Sequence, residues 1–384
     1  MKQEKTKQKQ EETKQPKKLK KVWKILLIIL LALLCAVVLF TLGLFVFHRV
    51  KTAQEIKKLK AAGYYNPVSV GDYSLNVAVF GNEHGKHTVV GIAGLGSADY
   101  SVAARQMTAC FEDDNRVVFV DRAGYGFSGD TNRDMTLETI VEDYRKALKN
   151  AGIEGPYVLM PHSIGGAYAN YWACHYPDEI EGIVFIDGSE LSADAFSDEE
   201  VDGKVSLGDK ALATLAKLGF SRLVLRNYYY HLPDNYSEEE QELGDALTVM
   251  EMDSIAAVSE SELLAKNAQD AFNGLTKTAI PKRYICASWG AHTKEEVVEN
   301  NKWINRQIEL NQLKMKPRPT DSNDESVQKV LDQSEQLRND VLLPYIEKMG
   351  NCELKYLAGD HMIYEQKPEE CGALVKEFLD SLEG

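Results

Sequence analysis

The chain has 384 residues, of which 44% are hydrophobic and 27% are charged. These proportions are those of a globular protein, and together with the lack of an internal period they exclude collagen-like, low-complexity and solenoid-repeat architectures. The formal net charge is −14. Because nucleic-acid binding requires clustered Lys and Arg, this acidity disfavours a nucleic-acid partner.

The first predicted element is the uncharged apolar segment Ile25–Phe47. A helix needs about 20 apolar residues to cross the hydrocarbon core of a bilayer, so this segment is long enough to span one. It is also longer than the apolar region of a secretory signal peptide, and no small-residue cleavage site follows it. The segment is therefore predicted to be an uncleaved transmembrane signal anchor.

The charge around this segment predicts its orientation. Residues 1–24 are rich in Lys and come directly before the span, whereas the linker at residues 48–64 is less basic. The positive-inside rule keeps the more basic flank in the cytoplasm. We therefore expect a single-pass protein of the cell membrane with a cytoplasmic basic tail and the remainder of the chain outside the cell.

From residue 65 onward, predicted strands alternate with predicted helices. The strands are Val68–Val70, Ser74–Phe80, Thr88–Ile92, Arg116–Val120, Tyr157–Met160, Gly182–Ile186, Lys282–Ala287 and Glu353–Leu357. The clearest helices are Leu137–Asn150 with Thr136 as N-cap, Ile164–His175 and Pro368–Leu382. Such alternation implies an α/β fold, with a mostly parallel sheet covered by helices on both faces.

The alternation stops between the sixth and seventh predicted strands. Residues 191–279 carry helical and acidic patterns without a good strand candidate, and they include a tyrosine cluster at Tyr228–Tyr230. We interpret this segment as a helical cap inserted into a core formed by residues 65–190 and 280–384. The tyrosines and nearby apolar residues favour a lipophilic ligand, although such residues more often simply belong to the core.

The strongest chemical signal is Ser163, which lies in Pro161-His162-Ser163-Ile164-Gly165-Gly166 between a strand and a helix. A serine at such a sharp turn presents its hydroxyl above the carboxyl edge of the sheet. The N–H of Ile164, at the start of the helix, is placed to stabilise an oxyanion. The competing interpretation is a serine that only caps the helix.

Two further segments support a nucleophilic serine. The turn Gly94-Leu95-Gly96 follows the strand that ends at Ile92, where the N–H of Leu95 supplies a second oxyanion donor. His361 lies in the loop after the last strand, and imidazole is suited to act as a general base near neutral pH. Alone, the first segment could be an ordinary turn and the second a surface histidine, but their order along the chain favours one site.

These motifs resemble the α/β-hydrolase fold superfamily over residues 65–382. The segment Asp121–Ser128 (DRAGYGFS) is similar to the D-x-x-G-x-G-x-S loop of that family, which is a structural signature. Two departures are that Pro161 replaces the first Gly of G-x-S-x-G and that Ala93-Gly94 replaces His-Gly at the oxyanion turn. The resemblance implies that Ser163 and His361 are catalytic.

The sequence offers several candidates for the acidic member of a catalytic triad. Most family members carry it after the seventh strand, but the stretch Ser288–Glu296 contains no Asp. Asp187, at the end of the sixth strand, is our preferred candidate because some dehalogenases and lipases place the acid there. Glu295 is the alternative, and Asp321 and Asp324 are further ones. Asp187 could otherwise be only a helix or loop cap.

The sequence therefore predicts a serine esterase, with Ser163, His361 and Asp187 as a triad and a small acyl compound as substrate. No cofactor and no metal are expected, since neither a dinucleotide loop nor metal-ligand spacing is present. The alternatives are an amidase or peptidase of the proline iminopeptidase type, an acyltransferase, or a non-catalytic membrane-tethered binding domain. The spacing of the six cysteines leaves a Cys352–Cys371 disulfide open.

Overall fold

An eight-stranded β-sheet forms the centre of the molecule. The computed structural model describes residues 2–189, 192, 204–224, 231–251, 254–311 and 314–383. In chain order the strands are β1 (Pro67–Ser69), β2 (Ser74–Gly81), β3 (Thr88–Ile92), β4 (Arg116–Val120), β5 (Tyr157–Ser163), β6 (Ile180–Gly188), β7 (Lys282–Cys286) and β8 (Cys352–Tyr356). Each of the eight predicted strands corresponds to one of these, with small shifts at the ends.

The strand order is β1-β2-β4-β3-β5-β6-β7-β8, which places β3 between β4 and β5. Strands β3 to β8 are parallel to one another, whereas β1 pairs with β2, and β2 with β4, in antiparallel fashion. The chain passes from β3 to β4 on one side and returns to β5 on the other. At such a switch point the loops after neighbouring strands diverge, and ligands bind between them at the carboxyl edge.

Helices pack on both faces of the sheet, and others form the N-terminal segment and the cap. They are α1 (Lys2–Ala61), α2 (Tyr100–Ala103), α3 (Arg105–Thr108), α4 (Leu137–Asn150), α5 (Gly165–His175), α6 (Leu207–Lys217), α7 (Ser221–Val224), α8 (Glu238–Glu251), α9 (Ile255–Glu262), α10 (Leu264–Gly274), α11 (Lys294–Leu310), α12 (Glu325–Leu337), α13 (Leu343–Met349), α14 (Ile363–Gln366) and α15 (Pro368–Ser381). On one face Tyr144 and Trp172 are buried and stacked, with ring centroids 6.2 Å apart. Tyr100 and Phe378 belong to the buried cluster on the other face.

In its described part, the segment between β6 and β7 contains the helices α6 to α10, joined by turns and loops, and no strand. It lies against the loop that follows β4, because a Cβ on Gly124 would be 1.7 Å from Ser254 Oγ. Asp130 in the same loop accepts hydrogen bonds from the N–H groups of Ile255 and Ala256, at 2.9 and 3.0 Å. These helices thus cover the carboxyl edge of the sheet. The predicted start of the cap at residue 191 and the tyrosines at 228–230 lie outside the described residues.

The first helix differs from the expected division into tail, span and linker. Helix α1 is continuous from Lys2 to Ala61, so the segment predicted as a linker at residues 48–64 is helical over most of its length. Lys, Gln, Glu and Ala have high helix propensity, which allows the helix to continue beyond the apolar part on both sides. The helix is long and apolar enough to cross a membrane.

The C-terminal part of α1 packs against the cap instead of extending freely into solvent. One stripe of the helix, at intervals of three and four residues, is buried, and its members are Leu44, His48, Thr52, Glu55 and Leu59. Arg222 of α7 donates hydrogen bonds to three of these side chains: to His48 Nδ1 at 2.9 Å, to Thr52 at 3.0 Å and to Glu55 at 2.6 Å. The C-terminal part of α1 is therefore joined to the cap by buried polar contacts.

Candidate active site

Ser163 occupies a strained turn between β5 and α5. Its φ of 53° lies in the left-handed region, which a non-glycine residue rarely adopts. The start of α5 lies so close to the end of β3 that a Cβ on Gly165 would be 2.6 Å from the carbonyl oxygen of Ile92. This geometry matches that of a nucleophile elbow. Backbone strain of this kind is concentrated at functional sites.

Pro161 fits into β5 without ending the strand. It lies opposite Ile92 of β3, and the register to β6 shifts between His162 and Ser163. A proline removes one donor from the ladder and is therefore best tolerated near an irregularity or a strand end. The departure from G-x-S-x-G is thus compatible with the strand-to-helix turn.

His361 and Asp187 contact each other directly. His361 lies in the loop between β8 and α14, and Asp187 is the penultimate residue of β6. The distance from His361 Nδ1 to Asp187 Oδ2 is 2.7 Å. The imidazole is 45% exposed, whereas the Asp187 side chain is only 3% exposed. One edge of the ring is thus bound to a buried carboxylate while much of the ring remains accessible.

Three further hydrogen bonds hold the Asp187 carboxylate. Oδ1 accepts from the N–H groups of Ala287 and Ser288, at 2.7 and 3.0 Å, and Oδ2 accepts from Ser288 Oγ at 2.6 Å. Burial by itself would raise the pKa of this carboxyl, but the hydrogen bond and charge of His361, together with the Ser288 and Ala287 donors, outweigh it and lower the pKa. The group is thus held as a carboxylate. No sequence motif indicated that Ser288 would bind the Asp187 carboxylate.

The other candidate acids lie elsewhere. Glu295 is exposed in the first turn of α11, where its neighbour Glu296 forms the capping box with Thr293. Asp324 accepts a hydrogen bond from the N–H of Ser326 and caps α12. The carboxylate that contacts His361 is that of Asp187.

The loop after β3 lies beside Ser163, as the oxyanion proposal requires. A Cβ on Gly94 would be 3.0 Å from Ser163 Cβ and 2.8 Å from His162 Nδ1, so a side chain at this position would collide with the site. Among the described residues, no backbone carbonyl oxygen accepts a hydrogen bond from the N–H of Leu95. Ile164 directly precedes α5, at the end of the helix where N–H groups favour negative charge.

A buried arginine fixes this loop and connects it to the cap. Arg122 donates to the carbonyl oxygens of Ala93 and Gly94, at 2.7 and 2.8 Å. Its Nε donates to Glu260 of α9 at 2.9 Å, and Tyr168 Oη donates to the same carboxylate at 2.6 Å. The sequence identified the loop containing Arg122 only as a structural signature. Its arginine orients the peptide that presents the Leu95 N–H.

His162, the neighbour of Ser163, supports the loop that carries His361. The side chain is buried, and its Nε2 lies 2.9 Å from the carbonyl oxygen of His361. The two imidazole rings are 4.6 Å apart. Burial, followed by the charge of His361, lowers the pKa of His162 to about 3. His162 is thus neutral at neutral pH and donates its Nε2 proton to that carbonyl oxygen.

The lowered pKa of His162 predicts an effect on stability. Its ordinary pKa is 6.5, so below that pH the unfolded chain binds a proton that the folded protein does not bind until about pH 3. We expect His162 to reduce the free energy of unfolding by about 2 kcal/mol between pH 7 and pH 5. Denaturant unfolding of the full chain in detergent at both values, beside His162→Gln, measures this contribution.

The comparison with the variant is needed because two buried carboxyls have the opposite effect on the free energy of unfolding as the pH falls. Burial raises the pKa of Asp99 to about 6 and that of Asp121 to about 7, so both stabilise the folded protein as the pH falls. The difference between wild type and His162→Gln isolates the histidine. An identical pH dependence in both proteins would contradict the assignment of His162 as a buried neutral imidazole.

The cysteines take no part in this site. Cys352 and Cys371, whose pairing the sequence left open, are both free thiols. In the described part of the chain, no group of three or more His, Cys, Asp or Glu side chains is arranged to hold a metal ion.

The sequence matches the alpha/beta hydrolase fold family over residues 89–230. It is 38% identical over 151 residues to YbdG, an uncharacterized protein of Bacillus subtilis, which corresponds to 39% of this chain and 45% of YbdG. It is 30% identical over 119 residues to YqjL, an uncharacterized protein of the same organism, covering 30% of this chain and 46% of YqjL. The chain therefore spans a little under half the length of these curated relatives.

Solved structures with the same fold extend the comparison to most of the chain. A candidate lipase from Acinetobacter baumannii has a TM-score of 0.51 at 17% identity, over 86% of this chain and 96% of its own. The haloalkane dehalogenase DatA from Agrobacterium tumefaciens has a TM-score of 0.50 at 14% identity, over 83% and 96% of the two chains. At such identities the similarity establishes the fold and not the reaction.

Proposed function

Because the chain belongs to the α/β-hydrolase fold superfamily, we propose that it is a serine hydrolase that cleaves carboxylic esters. The observation that carries the proposal is the 2.7 Å contact between His361 Nδ1 and Asp187 Oδ2, at the edge of the sheet where Ser163 ends β5. A buried carboxylate on one ring nitrogen fixes the tautomer in which the other nitrogen can accept a proton.

The proposed reaction has two steps. Ser163 Oγ bonds to the ester carbonyl carbon while its proton passes to His361 Nε2, and the bond to the leaving alcohol breaks as His361 returns that proton to the alkoxide. Water then attacks the acyl-enzyme with the same proton transfers, which releases the acid and restores Ser163. The N–H groups of Leu95 and Ile164 stabilise the oxyanion in both steps.

We further propose that the enzyme is held at the cell membrane. The apolar segment Ile25–Phe47 would span the bilayer, and the lysine-rich residues 1–24 would remain in the cytoplasm. The α/β domain would then lie outside the cell. The continuous helix α1 supports a direct structural connection between the span and that domain.

Hydrolysis of short-chain nitrophenyl esters by the full-length protein in detergent tests the proposal. We expect a burst of nitrophenol followed by slower turnover, because acylation and deacylation are separate steps. Matched anilides and proline amides distinguish an amidase, and an added alcohol that diverts product to a new ester distinguishes an acyltransferase. Absence of a burst and of turnover on all of them would favour the non-catalytic binding domain and contradict the proposal.

A further inference from the structure

The cap carries a cluster of exposed leucines beside helix α1. We call residues 207–224, which comprise α6 and α7, the α6–α7 segment. Its exposed apolar side chains are Leu207 (86%), Leu212 (66%), Leu215 (43%) and Leu223 (51%). They are four of the ten large apolar side chains exposed outside α1 in the part of the chain that the structure describes. Such clustering marks an interaction surface, since scattered exposed leucines are ordinary.

The arrangement of residues on α6 is that of a helix lying at an interface. With 100° between successive residues, Leu207, Leu212 and Leu215 lie within about 140° of the helix circumference. The buried Ala213 and Ala216 lie on the opposite side and face the protein, and Lys210 and Lys217 flank them, with Lys217 paired to Asp130 at 2.7 Å. A helix with an apolar face, a lysine-bearing face and limited length is typical of membrane-surface helices.

Contacts with α1 determine how deep the α6–α7 segment would lie in a bilayer spanned by α1. The Phe220 ring packs edge-on against Phe40, with the centroids 6.4 Å apart. Phe40 lies seven residues before Phe47, the end of the predicted span, which is about 10 Å along a helix. Because α1 has no break there, a residue that touches Phe40 must lie at about the same depth in the bilayer as Phe40 itself.

A second set of contacts holds the α6–α7 segment against helix α1. Gly219 sits directly on α1, since a Cβ there would be 2.8 Å from His48 Cβ and 3.0 Å from the carbonyl oxygen of Leu44. Arg222 and Glu55 form an ion pair at 2.6 Å with side chains only 8% and 10% exposed. A pair so well buried and hydrogen-bonded is costly to break by moving one partner alone.

From these contacts we infer that the α6–α7 segment is a membrane-binding surface. Its partner is the lipid of the bilayer that α1 spans, with the leucines at the boundary between headgroups and acyl chains of the outer leaflet. The cap therefore contacts the membrane surface through this segment. This inference rests on the membrane-anchored form of the proposed function.

Site-directed spin labelling of the full chain in phosphatidylcholine–phosphatidylglycerol vesicles tests whether the α6–α7 segment binds the membrane. The label is placed by Leu212→Cys, in a background where the exposed native cysteines Cys35 and Cys110 are replaced by alanine. We expect power saturation with oxygen and a water-soluble nickel chelate to place it about 5–10 Å below the headgroup phosphates. Val330→Cys is the matched control, because Val330 is an exposed apolar residue on α12, and its label should be fully accessible to the chelate.

A third label, introduced by Val38→Cys, separates the possible failures. If it reports hydrocarbon while the label at position 212 is as accessible to the chelate as the one at 330, the span exists and the membrane-binding surface is wrong. If the label at position 38 is itself in water, the span is wrong and the inference falls with it. Ester turnover of each labelled protein reports folding and the proposed catalysis independently of both.

Discussion

Substituting Ser163→Ala lowers kcat for ester hydrolysis by at least ~10⁴-fold and leaves the fold intact. The substitution removes only the oxygen that bonds to the substrate carbon, and it leaves the strand-to-helix turn with its φ of 53° in place. The oxyanion donors still bind the substrate, so KM changes little. Initial rates with the nitrophenyl esters over a range of concentrations separate kcat from KM.

The matched control is Ser334→Ala, which removes the hydroxyl of a buried serine on α12. We expect this variant to retain the activity of the wild type. If Ser163→Ala retained more than a small fraction of kcat, or if both serine variants lost activity equally, Ser163 would not be the nucleophile.

The second large effect is expected from Asp187→Asn, which lowers kcat by about 10⁴-fold. An amide oxygen still accepts from the N–H groups of Ala287 and Ser288, so the side chain keeps its position. The amide nitrogen then faces His361 Nδ1 and donates to it. This leaves the proton on the ring nitrogen that should accept from Ser163, and the imidazole is in the wrong tautomer.

Glu295→Gln is the comparison that separates the two candidate acids. Glu295 is exposed at the start of α11, and we expect the variant to have wild-type kcat and KM. Equal losses in both variants would indicate a general effect of charge. Loss in Glu295→Gln alone would assign the acid to Glu295 and contradict the mechanism.

Much of the site could be predicted because each residue lies at the carboxyl end of a strand or in the loop that follows it. Parallel strands bring their carboxyl ends to one edge of the sheet, so a serine after one strand and a histidine after another are expected to lie near each other. Local patterns also identified the strands, since buried parallel strands are short apolar runs bounded by turns.

The choice among the acids could not be made in the same way. Asp187 and His361 are 174 residues apart, and no local pattern encodes their contact. The same limit applies to Arg122 and Glu260, which are 138 residues apart and join the loop after β4 to the cap. Both contacts depend on how separate elements pack, and packing is not visible in the periodicity of either segment.

The role of residues 48–61 was missed for a related reason. Their composition is basic and polar, which is typical of a solvated linker when these residues are considered without their packing partners. The buried stripe from Leu44 to Leu59 mixes apolar, hydroxyl and acidic side chains, and it becomes recognisable only with Arg222 beside it. A polar stripe that is buried by pairing has no hydrophobic periodicity to reveal it.

The most direct measurement is to map the site of reaction with a fluorophosphonate probe. The full-length protein in vesicles is treated at neutral pH, digested and analysed by mass spectrometry. The proposed mechanism predicts one adduct, on the peptide that contains Ser163, which is lost when the protein is denatured first and strongly reduced in His361→Ala. A folded protein that forms no adduct at Ser163, or that reacts at another serine, would contradict it.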